Sequence, residues 1–150
     1  MSGNIRIATI ADRPAIEAIV RAAYIRYVPR IGREPAPMGA DYAALIGAGR
    51  VHVMESAGTI QGLLVLLPGK DGMLLDNIAV DPARQGSGIG RALLQFAENS
   101  ARGAGFCSIR LYTNEAMTEN IALYRRIGYV ETHRAEEKGL RRVHMRKQLG

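Results

Sequence analysis

The sequence predicts an α/β fold, a mixed sheet with helices on both faces, in a single domain over residues 1–150. Three observations carry this reading. A length of 150 residues fits one domain and suffices to bury a core. Hydrophobic residues make up 47% of the chain and charged residues 23%, an ordinary globular balance. The segments follow the order strand, helices, three strands, helix, strand, helix, two strands, and no repeat, low-complexity tract or Pro/Ser linker divides them.

The first strand is expected over residues 4–8, where Ile5 and Ile7 alternate with polar neighbours. A helix follows. Its start is either Thr9, three residues before Asp12 as in a capping box, or Asp12 itself. Ile16, Ile19, Val20 and Ala23 then repeat at helical spacing. From Tyr24 to Met38 the pattern breaks, and Pro29, Gly32, Pro35 and Pro37 predict a loop. A short helix is expected over residues 41–46. Strands over residues 50–55 and 59–67 flank Ala57-Gly58, a tight hairpin turn. A second turn at residues 69–72 leads into a strand over residues 73–80. Residues 87–102 read as a helix with Ile89, Leu93, Phe96 and Ala97 on one face. Residues 106–113 read as a strand and 117–127 as a helix that Gly128 can end in the left-handed conformation. Residues 129–136 and 141–148 look like a closing antiparallel pair.

A net charge of +6 and a pI near 9.9 favour anionic partners. The arginines are dispersed, however, with no run of five or six basic residues, no zinc-finger spacing and no aromatic-rich RNA-binding signature. The charge is therefore assigned to a phosphorylated small molecule and not to nucleic acid. Cys107 is the only cysteine, so neither an intramolecular disulfide nor a cysteine zinc cluster is expected, and no metal is expected. Beside Phe106 at a strand start, Cys107 reads as a core residue. His52, His133 and His144 fall in separate strands without ligand spacing and read as surface or sheet positions. The start MSGNIRIATIADR has no apolar signal-peptide core, and no apolar run nears the roughly 20 residues of a membrane span. The expectation is a cytoplasmic protein without a membrane partner.

The most informative stretch runs from Leu75 to Leu94 as strand, turn, glycine-rich loop and helix. Gly86, Gly88 and Gly90 let backbone approach a ligand, and the helix start presents unpaired N–H groups that attract an anion. Arg84 and Arg91 flank the loop. Together they describe a pyrophosphate site; the alternative is a helix packed closely on a sheet through small residues. The dinucleotide fingerprint is absent, because Arg91 stands where it needs its third glycine. No strand opens the chain immediately before this loop in a nucleotide-binding βαβ arrangement, and the P-loop pattern is missing too.

At these residues the chain resembles the GNAT superfamily of N-acetyltransferases. Gln85-Gly86-Ser87-Gly88-Ile89-Gly90 matches the family's Gln/Arg-x-x-Gly-x-Gly/Ala loop, preceded by the strand ending Ile78-Ala79-Val80-Asp81-Pro82. The segment from Asn114 to Tyr129 is similar to the family's Asn-x-x-Ala-x-x-x-Tyr-x-x-x-Gly-Phe/Tyr element. The resemblance implies a mixed, mostly antiparallel twisted sheet of about seven strands and acetyl-CoA as cosubstrate. It also implies that the loop from Gln85 to Arg91 holds the CoA diphosphate. Many members pair as homodimers, so a second copy of the chain is a partner the resemblance allows.

An amine with a pKa near 10.4 is neutral about once in 2,500 molecules at pH 7, so deprotonation costs about 4.6 kcal/mol and a base helps. The leaving thiolate in turn gains from an acid. Tyr124, at i+4 from Asn120 on one helix face, is implied as that acid, with Asn120 on the cofactor. The alternatives are an ordinary half-buried tyrosine and a helix-capping asparagine. Asp76 and Asn77 interrupt an apolar strand, and buried polar groups need a reason. Asp76 occupies a position compatible with the proton-relaying carboxylate, or makes a structural bond. Asn77 is placed against the acceptor. Backbone N–H groups at Ile78, Ala79 and Val80, exposed by a bulge, would bind the thioester carbonyl and pantetheine. Tyr27, Arg30 and Arg33, in the proline-rich stretch, either read an anion on the acceptor or are a solvated loop. The function implied is acetyl transfer to a primary amine of a small molecule or protein. A longer acyl-CoA donor, or a non-catalytic CoA-binding module, are the competing readings.

Overall fold

The computed structural model describes residues 4–150. Seven strands form one sheet: β1 (Asn4–Ile7), β2 (Val51–Ser56), β3 (Thr59–Pro68), β4 (Met73–Val80), β5 (Ser108–Asn114), β6 (Val130–Glu137) and β7 (Leu140–Gln148). Their order across the sheet is β1-β2-β3-β4-β5-β7-β6, and every pairing is antiparallel except β4 with β5. The hairpin between β2 and β3 turns on Ala57 at φ 51 and Gly58 at φ 78, the doubly left-handed geometry that matches strand twist.

Five helices cover the two faces: α1 (Arg13–Tyr24), α2 (Val28–Ile31), α3 (Tyr42–Gly47), α4 (Ile89–Gly103) and α5 (Thr118–Arg126). Ile16, Ile19 and Val20 of α1 and Tyr42 and Ile46 of α3 pack on Val51, Val53, Leu63 and Val65. Leu93, Leu94, Ala97 and Ala101 of α4, with Ile121 of α5, pack with Met54, Leu64, Leu75 and Ile109 in a second cluster. Neighbours in a strand face opposite ways, so Leu63 and Leu64 serve different layers.

Both proposed helix starts after β1 are used. Thr9 precedes a 3-10 turn over Ile10–Asp12, its amide donating to Asp12 Oδ2 at 2.8 Å, and α1 begins at the next residue. The stretch expected as a loop is instead largely helical: α1 reaches Tyr24, a 3-10 turn covers Ile25–Tyr27, and α2 ends at Gly32 with φ 89. Pro29 sits in the first turn of α2, where a missing N–H costs nothing. Helix α4 starts at Ile89, two residues later than expected, because Gly88 at φ 87 interrupts the helical conformation. β4, α4 and β5 do form a βαβ unit, contrary to expectation, since β4 and β5 are parallel. Cys107 is exposed, not core. His133 and His144 are not isolated: cross-strand partners, their rings stack at 4.3 Å and 7°.

Candidate active site

The site begins with a parting of strands. β4 and β5 pair only through Met73 with Ile109, Leu74 with Arg110 and Leu75 with Leu111. Beyond Leu75 the β4 edge has no neighbouring strand. Leu75 pairs with Leu66 and Asn77 with Val65 on the other side, so Asp76 is one extra residue in the ladder. This bulge sends Leu75 and Ala79 to opposite layers despite their even spacing.

Hydrogen bonding decides which groups the open edge shows. Asp81 N donates to Gln61 O at 2.9 Å, so the pair beyond Val80 and Gly62 is a bonded one. Bonded and non-bonded pairs alternate in an antiparallel ladder. Ile78 and Val80 therefore turn their N–H and C=O groups away from β3, into the cleft. Ile78 O accepts the Tyr24 hydroxyl at 3.0 Å, as that orientation requires. Ala79 is a correction: its backbone faces Leu63 and its side chain is buried, leaving it only a wall contact.

At the end of β4, Asp81 Oδ1 accepts from Ala83 N and starts the turn Pro82–Arg84. Gly86 and Gly88 have φ of 84 and 87, and a Cβ at either would meet open space. Backbone conformation, not crowding, requires glycine there. Ser87 Oγ donates to Arg84 O. The first ladder bond of α4 runs from Ala92 N to Gly88 O, so the amides of Ile89, Gly90 and Arg91 lie ahead of the ladder. The Ile89 side chain is buried, and only its backbone serves the loop. Gln85, Gly86 and Gly90 line a cavity of about 320 Å³ together with Ile78, Val80 and Arg84. Arg91 points elsewhere, into a neighbouring depression with Arg126 and Lys147.

Tyr124 and Asn120 line this cavity and also a second, inner one of about 50 Å³ between β4 and β5. The Tyr124 side chain is buried, its hydroxyl has no hydrogen-bond partner among the described residues, and burial pushes its pKa up to about 12. Asn120 lies one turn before it, past the helix cap at Met117, with its amide likewise uncommitted among the described residues.

Asp76 lines the second cavity and a third, outer one, accepting the Tyr112 hydroxyl at 2.9 Å on Oδ1. Burial first, and the Asp76 charge next, push the Tyr112 phenol up to about 12. Asn77 is engaged internally: 6% exposed, it accepts from Tyr24 at 2.7 Å and donates to Tyr42 at 3.0 Å. Its expected role against an acceptor is replaced by a tie between β4 and two helices. Arg30 is committed too, with Nη1 at 2.6 Å from Glu119 and 3.1 Å from Ala116 O. Tyr27 is 2% exposed beneath the Arg26 and Arg30 guanidiniums and borders the first cavity, not the outer one. Arg33 alone of that trio lines the outer cavity, with Nη1 donating to Lys138 O at 3.3 Å. Two residues not singled out from sequence join it there. Tyr112 carries no signal in a strand, and Arg142 carries the charge of an ordinary edge residue, yet its guanidinium lies 4.4 Å over the Tyr112 ring. Among the described residues no group of three His, Cys, Asp or Glu is placed to hold a metal.

A mixed sheet whose parallel pair parts above a glycine-capped helix is the frame that carries the site. Residues 47–131 match the family described as acetyltransferase (GNAT) domain, and the chain belongs to that family. The PaiA N-acetyltransferase of Thermoplasma acidophilum, solved in complex with coenzyme A, superposes with TM-score 0.83 at 18% identity, over 99% of both chains. The ribosomal-protein-S18-alanine N-acetyltransferase of Escherichia coli gives 0.79 at 22%, over 99% of this chain and 94% of that one. These likenesses show the fold. A mycothiol acetyltransferase of Kocuria rhizophila is 38% identical over 56 residues, 37% of this chain and 18% of that protein, so the chain matches under a fifth of that relative's length. No helix among the described residues is long and apolar enough to cross a membrane.

Proposed function

We propose that this domain transfers the acetyl group of acetyl-CoA to a primary amine of a small molecule or protein. The observation that carries the reading is the unpaired β4 edge running from the uncommitted Tyr124 hydroxyl to the glycine-capped start of α4. Acetyl-CoA supplies an activated acyl thioester. The loop suits its diphosphate: Gly86 and Gly88 open the backbone, the amides ahead of the α4 ladder donate, and Arg84 adds charge. The amides of Ile78 and Val80 suit the thioester carbonyl and the pantetheine chain, replacing the strand that β5 no longer provides. An amide aimed at a developing oxyanion is worth about 3 kcal/mol. Asn120 is free to bond the same chain.

Tyr124 is protonated at neutral pH, as any phenol is and the more so with burial raising its pKa to about 12, so its hydroxyl has a proton to give to the departing sulfur. From the other side, Asp76 and Tyr112 form a polar pair at the join of the inner and outer cavities, where an ammonium would be held and relieved of its proton through water.

Free thiol released from acetyl-CoA, measured with amino acids, polyamines, aminoglycosides and peptide N-termini, tests the proposal. Turnover with at least one amine is expected. Calorimetric binding of CoA without turnover on any amine would leave a binding module in its place. No heat on CoA titration into folded protein would remove the cosubstrate as well.

A further inference from the structure

The outer cavity places opposite charges around one aromatic ring. The Tyr112 hydroxyl meets the Asp76 carboxylate at 2.9 Å, while the Arg142 guanidinium stacks over the ring at 4.4 Å. Asp76 and Arg142 both line the inner and outer cavities, so both face the volume that leads to Tyr124. The Arg142 side chain is only 12% exposed, and its one hydrogen bond among the described residues is a 3.3 Å contact from Nη1 to Glu137. A guanidinium has five N–H donors, so the other four carry no partner among the described residues. Glu137 is shared with His144 at 3.1 Å, which leaves its hold on Arg142 divided. Arg33 and Lys138 add cationic charge to the outer cavity, against the carboxylates of Glu34 and Asp76. Leu45, Val65, Leu140, Pro35 and Pro37 supply an apolar part of the lining, beside Tyr42 and Asn77.

We infer that the acceptor is an α-amino acid with an apolar side chain, its carboxylate held by Arg142 and its amine facing Asp76. This rests on the acetyl-transfer reading above and narrows it to a zwitterionic amine. A carboxylate beside Arg142 takes up the planar donors that Glu137 leaves unused, in the geometry that favours guanidinium over ammonium. The same placement turns the amine toward Asp76 and the inner cavity. A peptide N-terminus, whose first residue has no free carboxylate, leaves those donors unmet.

The test compares leucine, methionine and phenylalanine, each with its own amide, in the full chain. The wild type is expected to favour the acid over the amide in kcat/KM by about tenfold or more, the scale of one charge-assisted hydrogen bond. Arg142→Gln is expected to bring that ratio to about one through KM, and Arg142→Lys to restore part of it. Should Arg142→Gln fail to fold, Arg142→Lys, which keeps the charge and loses the planar fork, is expected to lower the ratio through KM, and an unchanged ratio there overturns the inference. A wild-type ratio near one for all three pairs, or one that Arg142→Gln leaves alone, overturns the inference and spares the acetyl-transfer reading. Heat from amino-acid titration with CoA present, but no thiol release from acetyl-CoA, overturns the transfer reading and leaves an amino-acid binding site at Arg142 without an acceptor role. Neither heat nor turnover overturns both.

Discussion

The Tyr24 hydroxyl donates to Asn77 Oδ1 at 2.7 Å and ties the end of α1 to β4 beside the bulge. Asn77 passes the tie on to Tyr42 at 3.0 Å, so one amide joins two helices to the strand that shapes the cleft. Asn77→Ala leaves two tyrosine hydroxyls without this partner. It is expected to cost about 2–3 kcal/mol in urea unfolding, and Tyr24→Phe about 1 kcal/mol. A neutral Asn77→Ala would return Asn77 to the acceptor side.

Tyr124→Phe is expected to lower kcat about a hundredfold while the acceptor KM changes little. With the phenol raised to about 12, the wild-type rate should show no fall from its ionisation below about pH 10. Full activity in the phenylalanine variant would remove Tyr124 from the acid role.

Gly88→Val forces a β-branched residue to φ 87 in a place where the side chain itself meets nothing. The strain is about 1–2 kcal/mol, and the loop relaxes away from its ligand geometry. CoA affinity by calorimetry should fall by more than about tenfold. Unchanged affinity in folded protein would move the diphosphate site elsewhere.

Arg30→Ala should leave the acceptor KM unaltered, because the guanidinium is committed to Glu119 and does not border the inner or outer cavity. Arg142→Ala should raise it. A rise in KM from Arg30→Ala would restore the anion-reading role that the sequence suggested.

Asp12 is held down to about 2, first by the Arg6 guanidinium, with the Thr9 amide helping against burial. A carboxyl depressed on folding contributes stability above its ordinary value near 3.8 and loses it as pH falls through 2. Asp12→Asn should therefore cost about 1–2 kcal/mol at pH 7, and its difference from wild type should vanish between pH 4 and 2. A difference independent of pH would make the contact merely steric.

Strand alternation and turn residues were legible because each is local: Ala57-Gly58 and Gly128 act within a few residues, and Gly88 needs its positive φ whatever surrounds it. The helical course of residues 25–31 was not legible, since Pro29 reads as a breaker until its position in a first turn is known. The partners of Asn77 and Arg30 lie 53 and 89 residues away, and no pattern in either neighbourhood announces them. Arg142 escaped notice for the same reason: its stacking on Tyr112 is a product of the β5–β7 pairing and the side chains it sets side by side. The parting of β4 from β5 is a property of the sheet as a whole.

Because the groups that Ile78 and Val80 turn to the cleft are backbone amides, they are set by the β3–β4 register and not by side-chain identity. Almost any residue at those two positions presents the same amide; only proline erases it. Deleting Asp76 would leave a regular ladder in which Asn77 keeps Val65 and Ala79 keeps Leu63, so Ile78 and Val80 would still face the cleft, and only the kink and the carboxylate would be lost. Drift by substitution can thus reshape the side chains around the cleft while its row of amides stays put.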